Sequence, residues 1–252
     1  MKNIVSILVA VIAAAYTPLG YSKQLWSDFS ISYLQGNDYL NPFADYEYSS
    51  KVVTLEHASG HTWGGTFMFM DRLTSDDGSA DETYGEIGAT MSMPKLMGKQ
   101  RKDSFIKDYY LTAQLEHQSK DRGFNNYLYG LGVSLTVPAA KYFNVIVYRR
   151  NQDDFGIGKE DNNQLTITWC FDFAENWRID GFWDITDSYD TIFGEAKGES
   201  HFTPQIKYNL GPAMGMDTGR FDVGIEYTYW KNKFGVDGAD QKSVDMLIKW
   251  HF

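Results

Sequence analysis

Ser243-Val-Asp-Met-Leu-Ile-Lys-Trp-His-Phe252 is the final stretch of the sequence, and every second residue in it is apolar: Val244, Met246, Ile248, Trp250 and Phe252. Asp245, Leu247, Lys249 and His251 lie between them. Successive side chains of a strand point to opposite faces, so a period of two predicts a strand with one oily and one wetter face. On an open sheet edge such a strand invites aggregation unless it is covered. In a barrel closed within a membrane, the same stretch is the seam that pairs with the first strand, and Phe252 falls at the water–lipid interface. The stretch reads as the closing strand of an outer-membrane β-barrel.

Working outward from it, the same template finds about twelve strands. They lie near 26–34, 50–57, 62–71, 84–93, 105–117, 126–137, 142–150, 163–172, 177–187, 201–210, 221–230 and 244–252. Phe221, Val223, Ile225, Tyr227 and Tyr229 share one face, against Asp222, Gly224, Glu226 and Thr228. Between Tyr127 and Val137, Gly130, Gly132, Ser134 and Thr136 fall on the lumen side, and Leu165, Ile167, Trp169 and Phe171 oppose Thr166, Thr168, Cys170 and Asp172. The connections alternate as well. His57–His61, Pro138–Lys141 and Asp172–Asn176 are short, whereas Asp71–Thr83, Asn151–Asn163, Asp187–Ser200 and Lys231–Ser243 are longer and acidic or glycine-rich. Pro94–Ser104 and Gly211–Gly219 are longer than that scheme requires. The expectation is an all-β, transmembrane up-and-down antiparallel barrel with both termini in the periplasm.

The opening residues assign the compartment. Met1-Lys2-Asn3 and the apolar run to Ala15 have the size of a signal peptide, with a cut between 15 and 22. The expected organisation is a leader over 1–22 and a barrel over 23–252, without a further domain boundary or internal repeat. Removing Lys2 with the leader takes the net charge from -10 to -11. So acidic a chain has no electrostatic footprint for nucleic acid. Aromatics at 16%, with 17 Tyr and 23 Gly, suit a barrel with interfacial girdles.

No catalytic signature is present: there is no Gly-x-Ser-x-Gly, His-Glu-x-x-His, cysteine pair or phosphate loop. Cys170 stands alone, as a small lumen or core residue, and His57 and His61 flank an expected turn without metal-ligand spacing. No metal or cofactor is expected. The informative set is the inferred inner face: Glu56, Asp71, Glu86, Asp108, Tyr110, Glu116, Tyr148, Arg150, Arg178, Asp180, Phe182, Asp184, Lys207, Glu226, Lys249 and His251. Opposed charges there either cross-link and plug the interior or line a passage. Inward aromatics favour a flat polar solute that stacks on rings and pairs with hydrogen-bonding groups. On the third strand, either Phe67 and Phe69 or Met68 and Met70 face inward.

Trp26-Ser-Asp-Phe29, Thr54-Leu-Glu-His-Ala-Ser-Gly60, Phe67-Met-Phe-Met-Asp-Arg72, Tyr84-Gly-Glu86, Asn126-Tyr-Leu-Tyr-Gly-Leu-Gly132, Val147-Tyr-Arg-Arg-Asn151, Pro204-Gln-Ile-Lys-Tyr208 and Gly224-Ile-Glu-Tyr-Thr-Tyr-Trp-Lys-Asn232 occur in this order. In that order they resemble the Tsx-type nucleoside-specific outer-membrane channel family over nearly the whole mature chain. The resemblance implies a monomeric twelve-stranded barrel that admits nucleosides and deoxynucleosides by diffusion. It implies that Phe67, Phe69 and Asp71 face the lumen. With Glu56, Glu86, Tyr110, Glu116, Tyr148, Arg150, Phe182, Asp184, Glu226, Trp230 and Lys249, these are the candidate solute-binding residues. Expected partners are nucleosides, outer-membrane lipid, the barrel-assembly machinery, and phage or colicin at the outer loops. The alternatives are a general small-solute porin, a barrel enzyme, and a surface receptor or adhesin.

Overall fold

The computed structural model describes residues 22–78, 80–99, 104–119, 123–154 and 158–252. The expected signal segment lies outside the described residues, apart from Ser22. Twelve strands form one closed antiparallel ring: β1 (Gln24–Asn41), β2 (Tyr46–His61), β3 (Gly64–Ser75), β4 (Glu82–Ser92), β5 (Ile106–Ser119), β6 (Phe124–Leu135), β7 (Ala140–Asp154), β8 (Gly158–Ala174), β9 (Trp177–Thr186), β12 (Ser200–Asn209), β13 (Phe221–Lys231) and β14 (Gln241–His251). The small hairpin of β10 (Tyr189–Thr191) and β11 (Gly194–Ala196) stands apart from the ring. The ring closes where β14 pairs with β1, from Ser30 opposite His251 to Asn37 opposite Val244. Phe252 adds one last link, its N–H donating to the Phe29 carbonyl at 2.9 Å.

The alternation of β14 decides its two faces. Met246 is 76% exposed, and its neighbour Leu247 only 2%. Val244, Met246, Ile248 and Trp250 therefore point outward, and Ser243, Asp245, Leu247 and Lys249 inward. From outward Trp250 to outward Lys242 is eight residue steps, at roughly 3.3 Å per residue. With a strand tilt of about 40°, this spans about 20 Å along the axis, close to the apolar band of an outer-membrane barrel. At the terminal end, the end where β1 begins and β14 finishes, outward rings form a girdle. Phe29 meets Phe252 at 5.5 Å, Phe221 meets Trp250 at 5.6 Å, and Trp177 meets Tyr208 at 5.1 Å. Toward the opposite, loop end, outward Tyr129 stands opposite Arg149 and outward Tyr229 opposite Lys242.

Several boundaries differ from the sequence reading. β1 and β2 run on to a turn at 42–45, so that the span between the first two expected strands is itself a hairpin. The expected loop Asn151–Asn163 is mostly two strand arms, with Asn151 opposite Asp161 and Arg149 opposite Asn163; residues 155–157 lie outside the described residues. Above the apolar band both faces of a strand meet water, so polar residues there carry no period of two. β2 continues through His61, which moves the turn to Thr62–Trp63 and leaves His57 within the strand. The two overlong connections hold local structure. One is the short helix α1 (Met93–Leu96), capped by the Ser92 hydroxyl that accepts from the Lys95 N–H at 3.2 Å; the other is a 3-10 turn at Pro212–Met214.

The band assignment has a direct consequence. Met246→Arg places a guanidinium near the middle of the band and is expected to lower stability by about 2–4 kcal/mol in phosphatidylcholine vesicles. Lys242→Arg at the band edge should stay within about 0.5 kcal/mol of the parent. Reversible urea unfolding followed by tryptophan fluorescence measures both, and equal effects would displace the band from β14.

Candidate solute-binding lumen

Register settles which side chains enter the lumen. Phe67, Phe69 and Asp71 on β3 stand opposite Ala58, Glu56 and Thr54 on β2, and opposite Gly88, Glu86 and Tyr84 on β4. Since Lys249 reaches Glu56 across β1, this whole set is inward. Met68 and Met70 therefore face outward. The inward rings form a continuous run: Phe67 to Phe69 at 6.0 Å, Phe69 to Tyr84 at 5.7 Å, and Tyr84 to Phe124 at 6.1 Å between centroids. Phe67 keeps 41% of its surface exposed, so its ring face is open to the lumen.

A second aromatic wall stands across the ring, because β4 and β12 are diametrically placed. Phe182 meets His201 edge-on at 5.1 Å, and His201 stacks on Trp230 at 4.2 Å with planes only 9° apart. Toward the loop end Trp230 meets Phe234 at 4.8 Å, and Phe234 stacks on Phe43 at 6.1 Å. The turn from Lys231 to Gln241 folds into the mouth to bring this about. Asn232 and Phe234 both take left-handed backbone conformations, with φ of 50° and 54°. Lys233 is drawn inside, donating to the Leu40 carbonyl at 2.9 Å and to Gln241 Oε1 at 2.7 Å. Glu199, in the loop before β12, accepts from Trp230 Nε1 at 2.8 Å and from the Phe234 N–H at 3.0 Å. Burial pushes its carboxyl above the ordinary glutamate value, against the pull of the Arg150 guanidinium.

The charges divide by height. Near the terminal end, acids are neutralised by bases: Lys249–Glu56 at 2.8 Å, Lys207–Asp180 at 2.8 Å, Arg178–Asp172 at 2.9 Å and His251–Asp28 at 2.9 Å. From the middle of the lumen toward the loop end, acids are held by neutral donors. Thr54 donates to Asp71 at 2.6 Å, Tyr84 and Gln114 to Glu86 at 2.5 and 2.6 Å, and Thr166 to Asp184 at 2.5 Å. Gln205 donates to Glu226 at 2.6 Å, Tyr39 to Asp245 at 2.7 Å, and Asn126 to Glu116 at 2.8 Å. Of these six acids, only Glu116 has a cationic partner among the described residues, Arg150 at 3.4 Å. When ionised, these carboxylates give the passage a negative potential between low-dielectric walls.

All fourteen candidate residues point inward, but they do not form one surface. Phe67, Phe69, Asp71 and Glu86 lie on one wall, and Phe182, Asp184, Glu226 and Trp230 on the other. Glu56 and Lys249 are joined to each other. Tyr110 and Tyr148 are inward yet only 7% and 4% exposed, packed with Leu128 and Ile146 into an apolar brace. A side chain at Gly132 would collide with the Tyr110 ring, which explains the glycine there. A second brace joins Leu34, Tyr39, Val52 and Leu247. The sequence reading missed Tyr39, Phe124, His201 and Glu199. Tyr39 follows Asp38, whose left-handed backbone and the adjoining bulge turn the ring inward; Gly36-Asn-Asp38 was the available signal. Among the described residues no metal-binding group of His, Cys, Asp or Glu occurs, and Cys170 is a lone buried thiol.

The fold is that of solved outer-membrane channels. The NanC porin aligns with a TM-score of 0.50 at 13% identity, over 89% of this chain and 99% of its own. An outer-membrane channel from Pseudomonas putida aligns with a TM-score of 0.50 at 8% identity, over 94% and 99%. The KdgM porin aligns with a TM-score of 0.48 at 12% identity, over 88% and 99%. At such identities the likeness to the first two is one of fold alone, the closed twelve-stranded antiparallel barrel. No protein-family model and no curated protein matches the sequence.

The half-buried and exposed ion pairs separate on a double-mutant cycle. Glu56 and Lys249, with the lysine side chain 6% exposed, are expected to couple by about 1–3 kcal/mol. Lys141 and Asp172, with side chains 48% and 42% exposed, should couple by less than about 1 kcal/mol. Urea unfolding of the Glu56→Gln, Lys249→Met and paired variants provides the measurement.

Proposed function

We propose that this barrel is a passive, substrate-selective channel for nucleosides and deoxynucleosides, acting as a monomer without cofactor, energy coupling or catalysis. The aromatic run from Phe67 through Phe69 and Tyr84 to Phe124, set beside Asp71 and Glu86, carries the reading. A nucleobase presents a flat π-face for the rings, and its ribose presents hydroxyl donors for the carboxylates. Stacking contributes about 1–3 kcal/mol per base, enough to lengthen residence without trapping the solute. The Phe182–His201–Trp230 wall offers a second stacking surface nearer the loop end. Motif order along the chain, in the manner of Tsx-type channels, supports the same solute class. A general small-solute pore would have no use for facing ring walls.

The belt of carboxylates held by neutral donors sharpens the selectivity. Neutral nucleosides pass it, and anions are repelled. In the orientation we propose, the loop end faces outward and both termini face the periplasm, as the strand arms that run on past the apolar band at the loop end favour. Phage and colicins would then meet the loops, while the terminal strand ending in Phe252 is offered to the barrel-assembly machinery.

Two measurements test the reading. In liposome swelling, nucleosides should enter faster than sugars of similar mass. Phe67→Ala combined with Phe69→Ala should slow nucleosides and leave glycine unchanged or faster. Undiminished nucleoside entry through a folded, heat-modifiable double variant would remove that wall from the binding surface. In planar bilayers under a KCl gradient, the dilute side should become positive at zero current, the sign of cation preference. Combining Glu86→Gln, Asp184→Asn and Glu226→Gln should shrink that potential, and an anion-selective parent would contradict the charge assignment.

A further inference from the structure

On the outside of the barrel a groove of about 660 Å³ crosses β1, β14, β13 and β12 and ends at the start of β9. Its walls are apolar side chains that face lipid, among them Tyr33, Ile206, Ile225, Met246 and Trp177. Its upper end is Gln35, whose side-chain oxygen accepts from the Tyr33 hydroxyl at 3.0 Å. In the β1–β2 ladder Gln35 stands opposite Lys51, which is outward and exposed. Lys242 is outward on β14, four residues above Met246, with its ammonium 5.7 Å from the Tyr229 ring. Lys231 ends β13 on the same outward face. Among the described residues no carboxylate pairs with any of these three lysines. Exposed Glu47 lies farther out on the face of β2 that carries Lys51. Passing outward, this side of the barrel is therefore apolar, then basic, then acidic, in a chain of net charge -10.

We propose that this face binds an acylated, phosphate-bearing lipid, with an acyl chain in the groove and the phosphate between Lys51 and Lys242. The proposal rests on the barrel lying in a membrane and is independent of which solute crosses the lumen. An ammonium at the band edge interacts favourably with an anionic headgroup, and cationic side chains near the surface contribute additively. The groove removes from lipid disorder one chain whose head those lysines already hold. A second copy of this chain fits less well, because a symmetric contact across this face would bring Lys51 and Lys242 against their own counterparts.

Native mass spectrometry of the folded full-length barrel in a non-ionic detergent tests this. The probes are phosphatidylglycerol, phosphatidylcholine with the same acyl chains, and glycerol 3-phosphate. Phosphatidylglycerol should survive collisional activation that strips phosphatidylcholine, and glycerol 3-phosphate should not be retained. Lys51→Gln with Lys242→Gln should lower phosphatidylglycerol retention about tenfold or more, leaving phosphatidylcholine unchanged. Ile225→Trp, which fills the groove, should lower retention of both lipids. Should the paired lysine variant lose heat modifiability, each single variant carries the comparison. Equal retention of the two lipids, or no loss in folded lysine variants, would overturn the headgroup site. Retention of glycerol 3-phosphate equal to phosphatidylglycerol, or no effect of Ile225→Trp, would overturn the acyl groove. None of these outcomes bears on nucleoside swelling, so this proposal and the solute reading fail separately.

Discussion

Backbone groups buried in hydrocarbon have no water to bond, so each must be paired within the sheet. That constraint governs the molecule. It requires the ladder to close, and the closure is made by β1 and β14 over the pairs from Ser30–His251 to Asn37–Val244. It also ties the C-terminal end of β14 into the wall on both sides: the His251 N–H donates to the Arg220 carbonyl, and the Phe252 N–H to that of Phe29. Once the ring is shut, the register of one strand fixes the faces of all the others. A one-residue slip at the seam would send Asp245 and Lys249 into lipid and Met246 and Ile248 into the lumen. The apolar stripe of β14 thus decides the charge content of the interior as well as the membrane contact.

The interior solves two problems with different chemistry. Near the terminal end, Lys249–Glu56 and Lys207–Asp180 cross-link strands and leave little net field. Two apolar braces, around Leu247 and around Tyr148, stiffen the wall without adding charge. Farther up, neutral hydroxyl and amide donors hold the carboxylates. Such bonds orient a carboxylate without setting an opposite charge beside it, whereas an ion pair would cancel the field. Lys207 marks the boundary, bonding Asp180 on one side and Gln205 on the other, while Gln205 donates to Glu226.

The sequence was most legible where lipid and lumen impose opposite demands on neighbours. Through the membrane band, alternation placed all twelve strands and the facing of residues such as Glu86, Asp184 and Glu226. It was silent above the band, where water lies on both faces and the arms of β7 and β8 read as an acidic loop. Nor does alternation separate an inward ring left open to the lumen from one that packs. Phe67 and Tyr148 are both inward aromatics, yet one is open and the other is covered by Tyr110 on β5 and Leu128 on β6 as well as by Ile146 on its own strand. That difference belongs to cross-strand packing, which a single strand does not encode. The mouth was illegible for another reason: Lys233 and Phe234 reach the lumen through left-handed turns in a segment without a period.

Charge counts are correspondingly poor guides to selectivity in such a molecule. Lys242 and Lys249 share one strand, seven residues apart, and have opposite facings. Lys249 is buried against Glu56 and neutralises a lumen acid; Lys242 stands at the band edge over the Tyr229 ring and leaves the lumen field untouched. Counted together they would mask the acidity of the passage. The quantity that matters is the charge left after each inward acid is matched to its own partner, because that residue is what a solute meets in a low-dielectric tube. Above the Lys207 boundary the matching partners are threonine, tyrosine, glutamine and asparagine, with Arg150 the one cation paired, among the described residues, with any of the six acids named in the belt. A barrel built this way leaves carboxylates without a cationic partner at chosen heights, and the aromatic walls lie at those same heights, which is the arrangement that the proposed stacking and sorting of a solute requires.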